Sequence, residues 1–157
     1  MNYAQELEIM VNGIFVIYLI WTAWQDYREM QVVRYSHILG IVGVLAMAGI
    51  RWKEIRIFPL EYVSAFVIIL LLQMIAYWFS IYGMADVVVF CMCGWFFVLH
   101  RGVNSYLTVY IMLIAVSCCM LFIVQILKNN IQGLHLKKSV AYIPYICVAF
   151  VLTNLVL

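Results

Sequence analysis

The stretch "SIYGMADVVVF", Ser80 to Phe90, sets a carboxylate inside an apolar run. Only two aspartates occur among the 157 residues, and the other, Asp26 in "WTAWQDYREMQV", also sits at the edge of a long apolar run. The solvent around these runs decides what two such carboxylates mean.

Composition identifies that solvent. Apolar residues make up 68% of the chain and charged residues 10%, with a mean hydropathy of +1.08; a surface facing water would not carry so few charges. An integral membrane protein is expected. A spanning helix takes roughly 20 apolar residues, and apolar runs occur at about 9 to 25, 36 to 50, 57 to 79, 86 to 99, 105 to 127 and 141 to 157. The expectation is an all-α bundle of about six transmembrane helices, forming a single membrane-embedded domain over residues 1–157. The first run follows Glu6 and Glu8 rather than basic residues and lacks a small-residue cleavage site, so it reads as a retained span. Trp21, Trp24, Tyr27, Trp52, Trp78 and Tyr82 gather near run ends, as an interfacial belt requires. Pro59 suits the first turn of the third run.

Several partners and chemistries are disfavoured at once. A net charge of +2 with scattered basic residues points away from nucleic acid. Cys91, Cys93, Cys118, Cys119 and Cys147 all lie in apolar runs and read as small buried hydrophobes. His37, His100 and His135 lack metal-ligand spacing and read as interfacial. No cofactor is expected. Gln73, Ser117 and Gln125 read as interhelical hydrogen-bonding groups, and Glu61 as an acid in a helix's first turn. Neither H-E-x-x-H nor G-x-S-x-G occurs.

With six spans, loops one, three and five share a side of the membrane, so Asp26 and Asp86 face the same compartment. That side holds Arg28, Arg34, Lys128, Lys137 and Lys138, and the other holds Arg51, Lys53, Arg56 and Arg101. Five against four favours a cytoplasmic placement by a narrow margin. Ionisable residues at this depth face a bundle interior or wet cavity and tend to be functional. Two carboxylates close together do not both ionise cheaply; one holds a proton as an acid while the other, as a base, activates water. Asp86 alone also suits a helix cap, whereas Asp26 falls near a helix C-terminus, where the dipole disfavours negative charge. Arg28, or a continuing helix, would offset that cost.

The residues around the two aspartates resemble those of the type IV prepilin peptidases. "QDYREMQVVR", with Asp26 followed by Arg28, is similar to that family's first-aspartate motif, and "GMAD", Gly83 to Asp86, to its G-x-G-D motif. "KKSVAYIPY", including Lys138 and Pro144, is similar to the basic-then-proline segment that opens the last core helix. The resemblance implies a multi-pass aspartic endopeptidase of the cytoplasmic membrane with Asp26 and Asp86 as its dyad. Its partner would be a prepilin-like precursor whose basic leader precedes an apolar helix. The sequence departs from the family at Ala85, where a second glycine is usual, at Val88, where a lysine is common, and at Val33-Arg34, where Pro-Asn is usual. Nothing matches the cysteine-paired segment associated with N-methylation, so methyl transfer is not expected. A non-catalytic alternative has the same size and hydropathy: a substrate-binding subunit of a small-molecule transporter, or an inactive peptidase-like scaffold.

Overall fold

Each apolar run forms a helix, and a short helix that hydropathy does not mark lies between the second and third. The computed structural model describes residues 3–30, 32, 35–132 and 141–156. Among them the helices are α1 (Tyr3–Glu29), α2 (Ser36–Ile50), α3 (Trp52–Ile57), α4 (Pro59–Trp78), α5 (Met84–Arg101), α6 (Tyr106–Gln132) and α7 (Ile143–Val156), with no strand. The protein is an all-α membrane bundle. By length and composition α1, α4, α5 and α6 can each cross a bilayer, while α2 and α7 are apolar but shorter. At 1.5 Å per residue these two helices are about 21–23 Å long, less than the roughly 30 Å hydrocarbon core.

The helix ends follow from local chemistry. Pro59 opens α4, where its missing N–H is no loss. That helix closes in a Schellman arrangement: Ile81 N–H donates to Ala76 C=O at 3.0 Å and Ser80 N–H to Tyr77 C=O at 2.8 Å. Ser80 occupies the left-handed position, φ 55°, where glycine is usual. Gly102 follows α5 at φ 82°, a conformation that only glycine adopts freely.

Helix α5 is central. It packs on α2, α4, α6 and α7, and α1 closes the remaining side against α2 and α7. Consistent with this, α5 buries 61% of its most apolar stretch and the other three long helices 22–33%. Phe15 of α1 stacks on Phe96 of α5 with centroids 4.3 Å apart, and Phe97 stacks on Phe150 of α7 at 4.8 Å, offset aromatic contacts that add to area burial. Close approach needs small residues at two places. A Cβ on Gly40 would lie 2.6 Å from Met92 Sδ and 2.7 Å from the Tyr18 ring; one on Gly94 would lie 2.8 Å from the Tyr110 ring. With lipid outside, packing of this kind rather than hydrophobic exclusion holds helices together. Leu60, Leu71, Ile75, Phe122 and Leu127 are among the exposed apolar residues and form the face toward lipid.

Polar groups inside the bundle pair across helices. Gln73 Nε2 of α4 donates to Tyr110 Oη of α6 at 2.6 Å, and Ser117 Oγ of α6 lies 3.1 Å from Tyr142 Oη. Both agree with the sequence reading, but Gln125 is exposed. The cysteines divide: Cys91, Cys93 and Cys147 are buried, whereas Cys118 and Cys119 lie on the exposed side of α6, since an apolar run in lipid has outward as well as inward positions.

Candidate functional site

The six longer helices alternate in direction, with the short α3 lying in the connection between α2 and α4, so the end of α1 and the starts of α2, α5 and α7 meet at one end of the bundle. Asp26 and Asp86 are both there. Asp26 lies one turn before the end of α1 and is 8% exposed. Its Oδ2 accepts a hydrogen bond of 3.0 Å from the Ile143 N–H, and the Tyr142 N–H is directed at the same carboxylate. A negative charge unfavourable at the C-terminus of α1 is thereby set against the N-terminus of α7, where free N–H groups and the dipole favour it. Arg28 does not take this role: its guanidinium lies over the Trp24 ring, 5.2 Å from the centroid, a cation–π contact on the exposed side of α1.

Asp86 sits at the third position of α5. Its Oδ2 accepts from the Gly83 N–H at 3.0 Å, the reciprocal half of a capping box. The capping role expected of an aspartate here is therefore present. Asp86 is only partly covered, and the charge of Asp26 acts on it, so the two carboxylates are electrostatic neighbours. Gly83 has φ −74° and ψ 166°, extended backbone open to any residue. A Cβ there would meet only Asp86 Oδ2, at 3.5 Å. Ala85 is half-buried against the core. Its methyl group is accommodated where the family motif has glycine.

An aromatic cluster joins the two halves. Tyr82, one turn before Asp86, stacks on Tyr142, which directly precedes Ile143; their centroids are 5.6 Å apart. Phe90 packs against both rings, at 5.3 and 5.8 Å. Tyr142 Oη reaches Ser117 Oγ at 3.1 Å and Cys118 Sγ at 3.2 Å, so α6 supports the ring from behind. Beside the Asp86 turn lies an open groove of about 870 Å³ lined by Met74, Tyr77, Trp78, Ser80, Ile81, Tyr82 and Gly83. On the far side of Asp26, Ser36 Oγ donates to Gln25 Oε1 at 2.6 Å, tying α2 to α1. His37 of α2 is half-buried with Nδ1 3.2 Å from Tyr18 Oη, more enclosed than an interfacial reading implies.

Of the residues singled out in the sequence, Asp26, Asp86, Gly83, Ala85 and Pro144 converge on this end, Pro144 as the second residue of α7. Lys138, His135, Lys137 and Val33-Arg34 lie outside the described residues. Tyr82, Tyr142 and the Ile143 N–H were not anticipated. The spacing of Tyr82 four residues before Asp86 is a visible signal for the first; nothing local marks the other two. Among the described residues no group of three or more His, Cys, Asp or Glu could hold a metal ion.

Comparison with family models, curated proteins and solved structures found no match for the chain.

Proposed function

We propose that the protein is a membrane aspartic endopeptidase that removes a basic leader from prepilin-like precursors at the cytoplasmic face, with Asp26 and Asp86 as its acid–base pair. The observation that carries this reading is the meeting of the two aspartates at one end of the bundle, each anchored by a backbone N–H, with the charge of Asp26 reaching Asp86. One carboxylate takes a proton from water as the water attacks the scissile carbonyl, while the other, protonated, donates to the carbonyl oxygen; the first then passes its proton to the leaving amine as the C–N bond breaks, and the gem-diol hydroxyl returns a proton to the second. The enclosed Asp26, held at fixed geometry, and the more open Asp86, beside the Tyr82 groove, suit a site that receives an extended segment from the groove side. The likeness of "QDYR" and "GMAD" to the prepilin peptidase motifs supplies the substrate class.

A second reading is favoured by the same bonds. Asp86 caps the Gly83 N–H at the start of α5 and Asp26 fastens α7 to α1, which is sufficient work for both in a non-catalytic scaffold or a transporter subunit. Co-expression with a candidate precursor separates the two, with leader removal followed by size. On the peptidase reading, Asp26→Asn and Asp86→Asn each abolish nearly all cleavage, because a dyad acts as a unit, while Glu61→Gln, in the first turn of α4 at the opposite end, leaves it intact. Asparagine retains an acceptor oxygen for the backbone N–H, so both variants accumulate in the membrane. Cleavage that survives both aspartate substitutions overturns the assignment.

A further inference from the structure

The end of the bundle opposite the aspartates carries a second polar constellation. Arg51, which follows α2, donates to Glu8 Oε1 of α1 at 3.0 Å, to Glu54 Oε1 of α3 at 2.8 Å and to the His100 carbonyl of α5 at 3.3 Å. Next to this staple is a cavity of about 310 Å³ lined by Gln5, Glu8, Ile9, Asn12 and His100. Glu8 and Asn12 are four apart and share a face of α1; His100 approaches from α5. Two polar atoms here are buried and have no hydrogen-bond partner: Asn12 Oδ1 and His100 Nδ1. A buried orphan is costly, so natural proteins keep few of them.

We infer that this cavity is a binding site for a primary ammonium group, its three N–H bonds received by Glu8, Asn12 and His100. Among the described residues the lining contains one acid and no Lys or Arg, and its two unpartnered atoms can both accept, which favours a hydrogen-bond donor such as an ammonium. Of the cations whose charge reaches His100, Arg51 is set between Glu8 and Glu54, and Arg101 donates to the Asn154 carbonyl. A metal ion lacks a sufficient set of acidic, His or Cys ligands among the described residues, and a quaternary ammonium has no N–H to offer Asn12 Oδ1. The volume is at the low end of the range for small-molecule sites. The cavity lies near the start of α1, beside exposed Ile9 and Met10, where either a lipid headgroup or a soluble molecule can reach it. The amine therefore comes either from an aminophospholipid headgroup or from a free soluble amine.

The test uses the full chain purified in detergent and native mass spectrometry with added phosphatidylethanolamine, its N-methyl and N,N-dimethyl forms, and phosphatidylcholine. Retention by the wild type should fall stepwise along this series, by about tenfold from first to last, the worth of one or two hydrogen bonds. Asn12→Leu should erase the preference and Asn12→Asp should keep it. Displacement by millimolar ethanolamine assigns the site to soluble amines, and failure to displace assigns it to the lipid; either supports the inference. Equal retention of the primary and quaternary headgroups by the wild type overturns it, and that comparison stands even if Asn12→Leu fails to accumulate.

Discussion

Tyr82 and Tyr142 stack with their planes 23° from parallel and their centroids 5.6 Å apart, although they belong to loops separated by the whole of α5 and α6. Each ring is sequence-adjacent to one half of the aspartate site: Tyr82 is a turn before Asp86, and Tyr142 precedes the Ile143 N–H that holds Asp26. The contact therefore ties the loop that carries Asp86 to the segment that holds Asp26.

Replacing Tyr142 should separate its two roles. Tyr142→Phe keeps the stack and loses the bonds to Ser117 and Cys118, at about 1 kcal/mol; Ser117 still donates to the Ile114 carbonyl. Tyr142→Ala removes the ring as well and should cost about 3–5 kcal/mol. Unfolding in mixed micelles measures both, and a Phe variant as unstable as the Ala variant would show that the ring contributes little.

Alkaline pH should loosen this end of the bundle. Burial, the largest influence on both side chains, raises the Tyr82 and Tyr142 hydroxyls above the ordinary phenol value of 10.0. The fold thus holds the neutral phenol more tightly than the unfolded chain does. Their contribution is fully present below about pH 10 and declines as pH rises through the folded-state values. Titration of tyrosinate absorbance should show late ionisation in the wild type and an earlier onset in SDS-unfolded protein.

Gly40→Ala should be destabilising by about 1–3 kcal/mol, because its Cβ would enter the space of Met92 Sδ and the Tyr18 ring. Gly13→Ala is the control: nothing lies within 4 Å of a Cβ there, and the exchange should stabilise α1 by roughly 0.5–1 kcal/mol. Thermal unfolding in detergent, read by loss of helical circular dichroism, compares them. Equal effects at the two positions would contradict the packing described for α2.

Ser80→Gly should stabilise the protein by about 1 kcal/mol, the cost of holding a side chain at φ 55°. The same change would loosen the turn that feeds Asp86. If the peptidase reading is correct, a precursor-cleavage assay should show a rate unchanged or reduced, never raised, in the more stable variant.

Hydropathy places α2, whose run at about 36 to 50 ends at Arg51, and Pro59 marks the start of α4. Helix α3 escapes because "WKEIRI" is amphipathic and too short to show a run. The two aspartates stand out by rarity, and alternation of loops is enough to put them at one end. What holds Asp26 does not stand out. Its partner is a backbone N–H 117 positions away, and a backbone donor leaves no trace in side-chain chemistry. Arg28 looks in sequence like the natural counter-charge, yet the aromatic face of Trp24, one helical turn back, takes it instead.

The hydrogen bond from Ile143 to Asp26 also imposes an order on assembly. The carboxylate enters the membrane with α1, and its donor emerges from the ribosome only with α7, after five intervening helices. Throughout insertion Asp26 must therefore wait, near the bilayer surface or protonated, beside helices that do not satisfy it. A chain released before Ile143 would carry an unanswered acid at the end of its first span, a mark by which membrane quality control can tell an unfinished bundle from a finished one.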